Sequence, residues 1–271
     1  MTVERVTLHI PGITHPQKLV HISDTHITFP SDADDETDTE AIIDRTKAWS
    51  ANGKTPVEAF EEIMADAEVK NADGLIITGD GIDTLTKGSL DYMVKVKSSF
   101  RGKFIYVMGN HDSGHHLKKL DYDESVSKLM PLFSDEPDFH AERFDGFTVV
   151  SLNAFSGSVS VNQLSKLKAV AKEGRPVILA THRPLFTDKT SELIDTEFWL
   201  GAQSHYLLGI PGSDATTNEF SDFIKSDESN VVAYLCGHIH LSHSSEFAPE
   251  RYQYSAGTGF GGFVRIIDIV S

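Results

Sequence analysis

The stretch Leu19-Val20-His21-Ile22-Ser23-Asp24-Thr25-His26 contains a mostly apolar run, typical of a buried strand, that is followed by a carboxylate and an imidazole. The same arrangement recurs along the chain, because four further polar clusters each follow an apolar run. These clusters are Gly79-Asp80-Gly81-Ile82-Asp83, Gly109-Asn110-His111-Asp112, Thr181-His182 and Gly237-His238-Ile239-His240. In open α/β sheets, sites lie outside the carboxyl ends of the strands. The five clusters are therefore predicted to converge on one crevice.

Apolar runs alternate with helical patterns, which is typical of an α/β protein. Strands are predicted at 19–22, 75–77, 104–108, 147–150, 177–180, 231–235 and 264–269. Most are continuously apolar, as in strands covered on both faces. The last one alternates with polar residues, which predicts an edge or half-exposed strand. Capping patterns predict helices that begin at Thr55 and Ser160, and a third helix is predicted near 215–225.

The residue types in the five clusters are those of metal ligands. Carboxylate oxygens and imidazole nitrogens together suit Zn, Mn, Fe or Ni. In Asp-x-His and His-x-His, alternate side chains of an extended segment point to the same side, so each loop can offer two ligands. A carboxylate such as Asp80 can bridge two cations. The glycines Gly79, Gly109 and Gly237 each precede a candidate ligand, and they are predicted to permit sharp turns at the strand ends.

The formal net charge of −16 over 271 residues argues against a protein that binds phosphate backbones, because nonspecific nucleic-acid affinity comes from Lys and Arg. The single cysteine, Cys236, excludes a disulfide framework and is expected to be a small buried residue. No apolar run approaches the roughly 20 residues needed to span a bilayer, and no signal peptide is apparent. The expected location is therefore the cytoplasm, without a membrane partner. The oligomeric state is left open.

Two segments interrupt the strand–helix rhythm, at 29–52 and 185–213. Both are long for connections in a compact domain, and long loops are often functional lids. A solvated surface excursion is the other interpretation. The chain is interpreted as a single domain, 1–271, in which these insertions form either a lid or rim, or mere surface.

Taken in order, the five clusters resemble the motifs of the calcineurin-like metallophosphoesterase superfamily: D-x-H, G-D-x-x-D, G-N-H-D, a lone His and G-H-x-H. The resemblance runs from Asp24 to His240 and covers most of the chain. It implies a four-layer α/β/β/α sandwich of two mixed sheets flanked by helices, with the site at one edge of the sheets.

The resemblance also implies roles. Asp24, His26 and His240 would hold a first metal ion, and Asn110, His182 and His238 a second, while Asp80 would bridge the two. His111 would lie near the leaving group, and Asp83 would orient it. The cofactors implied are two divalent or Fe-type ions, namely Mn, Fe, Zn, Ni or Co. One departure matters: Asp83 is followed by Thr84 and not by the arginine of the serine/threonine protein phosphatases, so that branch is disfavoured.

The expected function is metal-dependent hydrolysis of a small-molecule phosphodiester or phosphomonoester by a metal-bridging hydroxide. Two alternatives remain open. The same metal core could serve a nuclease, although the acidic charge counts against it. A non-catalytic metal-binding scaffold is the other, although no ligand of the motif set is missing. Arg183, next to His182, is interpreted either as a phosphate contact or as a surface salt bridge.

Overall fold

The computed structural model describes residues 1–32, 36–114, 120–198 and 206–271. Parts of both predicted insertions, 33–35 and 199–205, lie outside these ranges. Within them, the strands form two mixed sheets. The first sheet has the order β1-β11-β2-β3-β4, with β1 Thr2–His9, β2 Gln17–Ile22, β3 Gly74–Thr78, β4 Lys103–Val107 and β11 Phe263–Val270. The second has the order β5-β6-β7-β8-β10-β9, with β5 Phe139–Arg143, β6 Thr148–Leu152, β7 Val177–Ala180, β8 Val231–Cys236, β9 His243–Ala248 and β10 Arg251–Ser255.

Helices connect many of these strands. In chain order they are α1 Glu36–Trp49, α2 Pro56–Ala65, α3 Ala67–Lys70, α4 Lys87–Ser99, α5 Tyr122–Leu129, α6 Val161–Ala171, α7 Asp188–Leu193 and α8 Ala215–Lys225. Short 3-10 turns cover Met130–Leu132, Asp227–Ser229 and Gly259–Gly261, and a π-helical turn covers Ile194–Phe198. The predicted helix starts are confirmed, since Thr55 and Ser160 each form a capping box.

Three apolar layers separate four layers of structure. α2 to α5 cover the outer face of the first sheet through residues such as Phe60, Met93 and Leu129. The inner layer, between the sheets, includes Ile76 and Leu235. On the far side, α6 and α8 cover the second sheet with a further apolar cluster. The predicted α/β/β/α sandwich is thus confirmed.

The prediction for the last strand is wrong. β11 lies inside the first sheet, parallel to β1 and antiparallel to β2. Its alternation arises because Arg265 is buried with both terminal nitrogens of its guanidinium group paired: Nη2 donates to Glu4, Ser242 and the carbonyl of Ser255, and Nη1 lies 3.2 Å from His21 Nδ1. The edge strand on this side is β1, whose largely exposed face gave no strand signal.

The segment 29–52, which was predicted as a long connection, contains helix α1 over much of its length. Few apolar side chains of α1 are buried, Ile42 being one of them. Its sequence therefore lacks the apolar stripe from which a helix is predicted.

Candidate metal centre

The five predicted clusters meet at one edge of the two sheets. The loops after β2, β3 and β4 supply Asp24, His26, Asp80, Asp83, Asn110 and His111, and the loops after β7 and β8 supply His182, His238 and His240. Parallel pairing of β2, β3 and β4, and separately of β6, β7 and β8, brings these carboxyl ends to the same side of each sheet. Every predicted site residue is therefore part of one constellation.

The first ligand cluster contains Asp24, His26 and His240, whose candidate ligand atoms all lie within 4.8 Å of one another. His26 Nε2 faces His240 Nε2 at 3.3 Å. His240 Nε2 lies 3.4 Å from Asp24 Oδ1. Asp24 is fully buried, and His26 likewise. These residues could hold one metal ion.

The second ligand cluster contains Asp80, His182 and His238, again with candidate ligand atoms within 4.8 Å. His182 Nε2 lies 3.3 Å from Asp80 Oδ2 and 3.0 Å from His238 Nδ1. Asn110 Oδ1 completes the group at 3.1 Å from the same nitrogen of His182. These residues could hold a second ion.

Asp80 links the two clusters. Its carboxylate lies within 4.8 Å of the ring nitrogens of His26 and His111 on one side and of those of His182 and His238 on the other. The side chain is buried, and its Oδ1 accepts a hydrogen bond from the amide of His111 at 2.8 Å. This position is what a carboxylate shared between two cations requires.

The spacing of the nitrogens fits bound metal ions. Nitrogen ligands about 2.0–2.1 Å from an ion lie roughly 3 Å from each other. The facing pairs His26–His240 and His182–His238 are 3.3 and 3.0 Å apart. Two imidazole lone pairs at this distance repel each other unless a proton or a cation lies between them. Carboxylate oxygens, imidazoles and an amide oxygen also form a donor set that suits Mn, Fe, Zn, Co or Ni.

Electrostatics favour a cation in the same place. Burial lowers the pKa of His182, but the carboxylates of Asp80 and Asp24 and the carbonyl of Thr78 together outweigh burial and raise that pKa to about 9. Burial raises the pKa of Asp80, but the imidazoles of His182, His111 and His26 hold it well below its usual value. The buried carboxylates thus stabilise positive charge, which a metal ion can supply in place of a proton.

Neighbouring groups orient two of the imidazoles. His182 Nδ1 lies 2.8 Å from the carbonyl oxygen of Thr78, and His26 Nδ1 lies 2.9 Å from Asp83 Oδ1. Nδ1 donates in both cases, because a carbonyl or carboxylate oxygen can only accept. Each Nε2 then directs its lone pair toward the cluster, which is the arrangement found around protein-bound metals.

The backbone is strained at the ligands. Asp24, His26, Asp80, His238 and His240 have φ values of 53, 44, 49, 70 and 58°. Left-handed φ in a non-glycine residue costs of order 1–3 kcal/mol and persists where the surroundings enforce it, often at functional sites. No feature of the sequence predicts this strain.

The glycines before the ligands serve close packing more than turning. Gly79 does have a left-handed φ of 90°. A Cβ on Gly109 would lie 2.2 Å from Asp80 Oδ1, and one on Gly237 would lie 2.4 Å from Asp24 Oδ2. The predicted role in sharp turns thus holds for Gly79, while the other two leave room for the ligands themselves.

Asp83 lies beside the first ligand cluster, with its side chain fully buried. His111 Nδ1 lies 2.9 Å from Asp83 Oδ1, so the predicted pair is in contact. Burial lowers the pKa of His111, but Asp83 and Asp80 outweigh burial, and the pKa is raised. The charged imidazolium is therefore favoured.

Helix α1 supplies two site residues that the sequence did not reveal. Arg45 donates to both oxygens of Asp83, from Nε at 2.6 Å and from Nη2 at 2.8 Å, and Trp49 Nε1 donates to Oδ1 at 2.7 Å. The indole of Trp49 also stacks on His26, with ring centroids 3.8 Å apart. Their spacing of four residues on one helix face was the only available signal.

Two further aromatic residues border the clusters. Phe260, from the glycine-rich loop before β11, lies edge-on to His240 with centroids 5.4 Å apart. Tyr206, from the second insertion, lies 5.3 Å from the His238 ring. Arg183 is partly buried, and its Nε donates to the carbonyl of Phe155 at 2.5 Å.

Among the described residues, none of the helices combines the length and the hydropathy of a membrane-spanning segment.

Comparison with known proteins agrees with the site. Residues 17–242 match the model of the calcineurin-like phosphoesterase family. No curated protein sequence matches the chain.

Solved structures share the fold at low identity. A dimetal phosphatase from Danio rerio is 14% identical, with a TM-score of 0.50 over 90% of this chain and 88% of that one. A phosphopantetheinyl hydrolase from Mycobacterium tuberculosis is 16% identical, with a TM-score of 0.52 over 89% and 90%. A purple acid phosphatase from yellow lupin (Lupinus luteus) seeds is 12% identical, with a TM-score of 0.57 over 93% of this chain but only 45% of that one.

Since the family match spans all five clusters and those clusters meet in one site, this chain belongs to the calcineurin-like phosphoesterase family and is a hydrolase acting on phosphate esters.

Proposed function

We propose that the protein hydrolyses a small-molecule phosphate ester, either a monoester or a diester, with two metal ions in the two ligand clusters. The observation that carries this proposal is the position of Asp80, whose carboxylate is within reach of His26 on one side and of His182 and His238 on the other. A site for one ion would not need a buried carboxylate between two sets of inward-facing imidazoles.

In this proposal Asp24, His26 and His240 would hold the first ion, Asn110, His182 and His238 would hold the second, and Asp80 would serve both. Such ions lower the pKa of bound water and neutralise developing charge on phosphoryl oxygens. The imidazole-rich donor set favours Mn, Fe, Zn, Co or Ni over Mg, which prefers oxygen ligands.

His111 and Asp83 act on the leaving group. His111 retains some exposure, 18% of its side chain, whereas Asp83 is inaccessible. An imidazolium held by a carboxylate can protonate or stabilise a departing alkoxide. Asp83 does not reach the substrate itself and serves as a positioning residue.

The surroundings favour a small organic ester. Trp49, Phe260 and Tyr206 place aromatic rings around the clusters, and Arg183 is a nearby cation whose charge interacts with that of Asp80. We assign Arg183 to the non-bridging phosphoryl oxygens. We also propose that the described parts of the two insertions form the rim of the site within a single domain, since Trp49 and Tyr206 contact His26 and His238. A reducing cytoplasmic location agrees with the buried, unpaired Cys236.

A turnover screen tests this proposal. The metal-free protein, reloaded with Mn, is assayed on aryl phosphomonoesters, aryl phosphodiesters and cyclic nucleotides. Asp80→Asn, prepared in parallel, controls for contaminating phosphatases. We expect turnover of at least one ester class by the wild type and none by the variant.

The alternatives predict different results. A nuclease would cleave single-stranded DNA or RNA in the same preparation, and its binding would weaken steeply with salt. A scaffold would bind two ions and turn over none of these substrates. Either outcome would overturn the proposed function.

A further inference from the structure

Helix α1 is attached to the metal centre through one carboxylate. Asp83 accepts hydrogen bonds from His26 of the β2 loop and from both Arg45 and Trp49 of α1. It is also paired with His111 of the β4 loop. A fully buried carboxylate needs such partners, because an unpaired charge in the interior is strongly destabilising. Asp83 therefore joins three separate segments.

The second attachment is a ring stack. The indole of Trp49 lies 3.8 Å from the His26 ring, centroid to centroid, with 16° between the planes. The guanidinium carbon of Arg45 lies 5.2 Å from the Trp49 centroid. His26 is thus held on one face by Trp49 and at Nδ1 by Asp83. Rotation of its imidazole requires that both contacts break.

Outside these contacts, several side chains of α1 are exposed to solvent, while Ile42 is buried. Ile43, Asp44, Lys47 and Ala48 are exposed, whereas Arg45, Thr46 and Trp49 are partly buried. Thr46 Oγ1 adds a hydrogen bond to Thr28 Oγ1 at 2.6 Å. Much of the docking of α1 is therefore polar and directed at the site.

We propose that Arg45 and Trp49 are positioning residues that couple the docking of α1 to metal binding in the first ligand cluster. This inference rests on the proposed function. Partners that orient a ligating histidine raise its basicity, and their loss typically weakens metal affinity about 10–100-fold. Because coupling between two equilibria is reciprocal, an ion in the first cluster must also stabilise the docked helix.

The second ligand cluster provides an internal control. His182 is oriented by the backbone carbonyl of Thr78, which belongs to β3. Changes in α1 should therefore weaken one of the two metal sites and spare the other. A helix that merely stabilises the fold would affect both sites equally, or neither.

Trp49 makes the first cluster observable. The chain has two tryptophans, and Trp199→Phe leaves Trp49 as the sole one. Metal-free protein in this background is titrated with Co²⁺ while fluorescence is followed, since an ion bound at His26 should quench the stacked indole. Asp24→Asn and His238→Ala identify which titration step belongs to which cluster.

The variants are Arg45→Met, Arg45→Lys and the control Lys47→Ala, which alters an exposed residue of the same helix. We expect Arg45→Met to weaken metal binding in the first cluster about tenfold, at the lower end of that range because Arg45 acts on His26 through Asp83, and binding in the second cluster less than about threefold. Arg45→Lys should recover part of the loss, and Lys47→Ala should have no effect. Calorimetric titration of Trp49→Phe should show the same asymmetry. In the wild type, Co²⁺ should slow amide hydrogen exchange in α1.

Equal weakening of both steps, or unchanged affinities, would overturn the coupling. So would exchange in α1 that is insensitive to Co²⁺. If the variants show this asymmetry and the wild type binds two ions but hydrolyses no ester, the proposed function alone is overturned. A wild type that binds no metal would overturn both.

Discussion

Nε2 of His182 faces Nδ1 of His238 at a distance of 3.0 Å, in a pocket that also holds the carboxylate of Asp80. Burial, the neighbouring charge of His182 and that of Arg183 keep the pKa of His238 well below its ordinary value. His238 is therefore neutral and presents a lone pair. Such a nitrogen, aimed at a second imidazole, is available as a ligand once an ion replaces the proton on His182.

The first prediction concerns metal dependence. Chelation followed by dialysis should abolish hydrolysis, and Mn, Co or Ni should restore it better than Mg. The reason is the four imidazoles in the proposed ligand set, which Mg binds poorly. Initial rates with one aryl ester, together with elemental analysis, measure this. Full activity in excess chelator with no metal detected would remove the two-metal proposal.

The second prediction concerns the shared carboxylate. Asp80→Asn should weaken binding of both ions, because Asp80 groups with residues of both clusters. Asp24→Asn should weaken mainly one, since Asp24 groups with His26 and His240. Calorimetric titration with Mn distinguishes one affected step from two, and the exposed Asp44→Asn serves as a control. Loss of one ion only in Asp80→Asn would contradict the bridging role.

The third prediction separates stability from metal binding. Buried Asp112 accepts hydrogen bonds from Tyr106 Oη at 2.6 Å, from the amide of Ile82 at 2.8 Å and from that of Gly109 at 2.7 Å. Tyr106→Phe removes one donor from this buried group, which should lower the free energy of unfolding by about 1–3 kcal/mol.

Urea unfolding of metal-free protein measures that loss, with Tyr252→Phe as the control because Tyr252 is 41% exposed. The number of ions bound by the folded variant should stay at two, since the two backbone contacts to the loop remain. Unchanged stability would mean that water replaces the hydroxyl without cost.

The residues that the sequence predicts for the site are brought together in the structure because they follow strand ends. A strand that is buried on both faces is a continuous apolar run, so the position of Asp24 after Ile22, or of His238 after Cys236, could be located from the sequence. The parallel order of the strands then brings these positions together. No knowledge of the loops was needed.

Arg45 and Trp49 could not be found in this way. They reach the site through hydrogen bonds to Asp83 and a ring stack, and neither contact produces an apolar period in the sequence. Arg265 is also the reason why β11 was predicted as an edge or half-exposed strand, because a charged residue in a strand is normally exposed. Its burial is stabilised by polar partners from distant segments, such as Glu4, which only the folded chain reveals.

The fourth prediction concerns His111 as the general acid. Its Nδ1 contacts Asp83, and its raised pKa favours the charged form that can donate a proton. His111 also groups with His26 and Asp80, so the geometry alone would allow a role as a metal ligand. His111→Ala distinguishes the two roles. As a general acid, its loss should leave both ions bound and reduce turnover by about 10²–10⁴.

The loss should depend on the leaving group. An alkoxide needs a proton more than a nitrophenolate does, so kcat/KM should fall further for alkyl esters than for nitrophenyl esters. Asp83→Asn should show the same dependence more weakly, because Asp83 contacts Nδ1 of His111. The structure adds a complication, because Asp83 also orients His26 and anchors Arg45 and Trp49. This variant must therefore be assayed at saturating metal, where weaker binding in the first cluster no longer limits the rate.

An equal loss for both ester classes in metal-replete His111→Ala would assign His111 to substrate binding or general electrostatics. Loss of one ion would assign it to the metal centre.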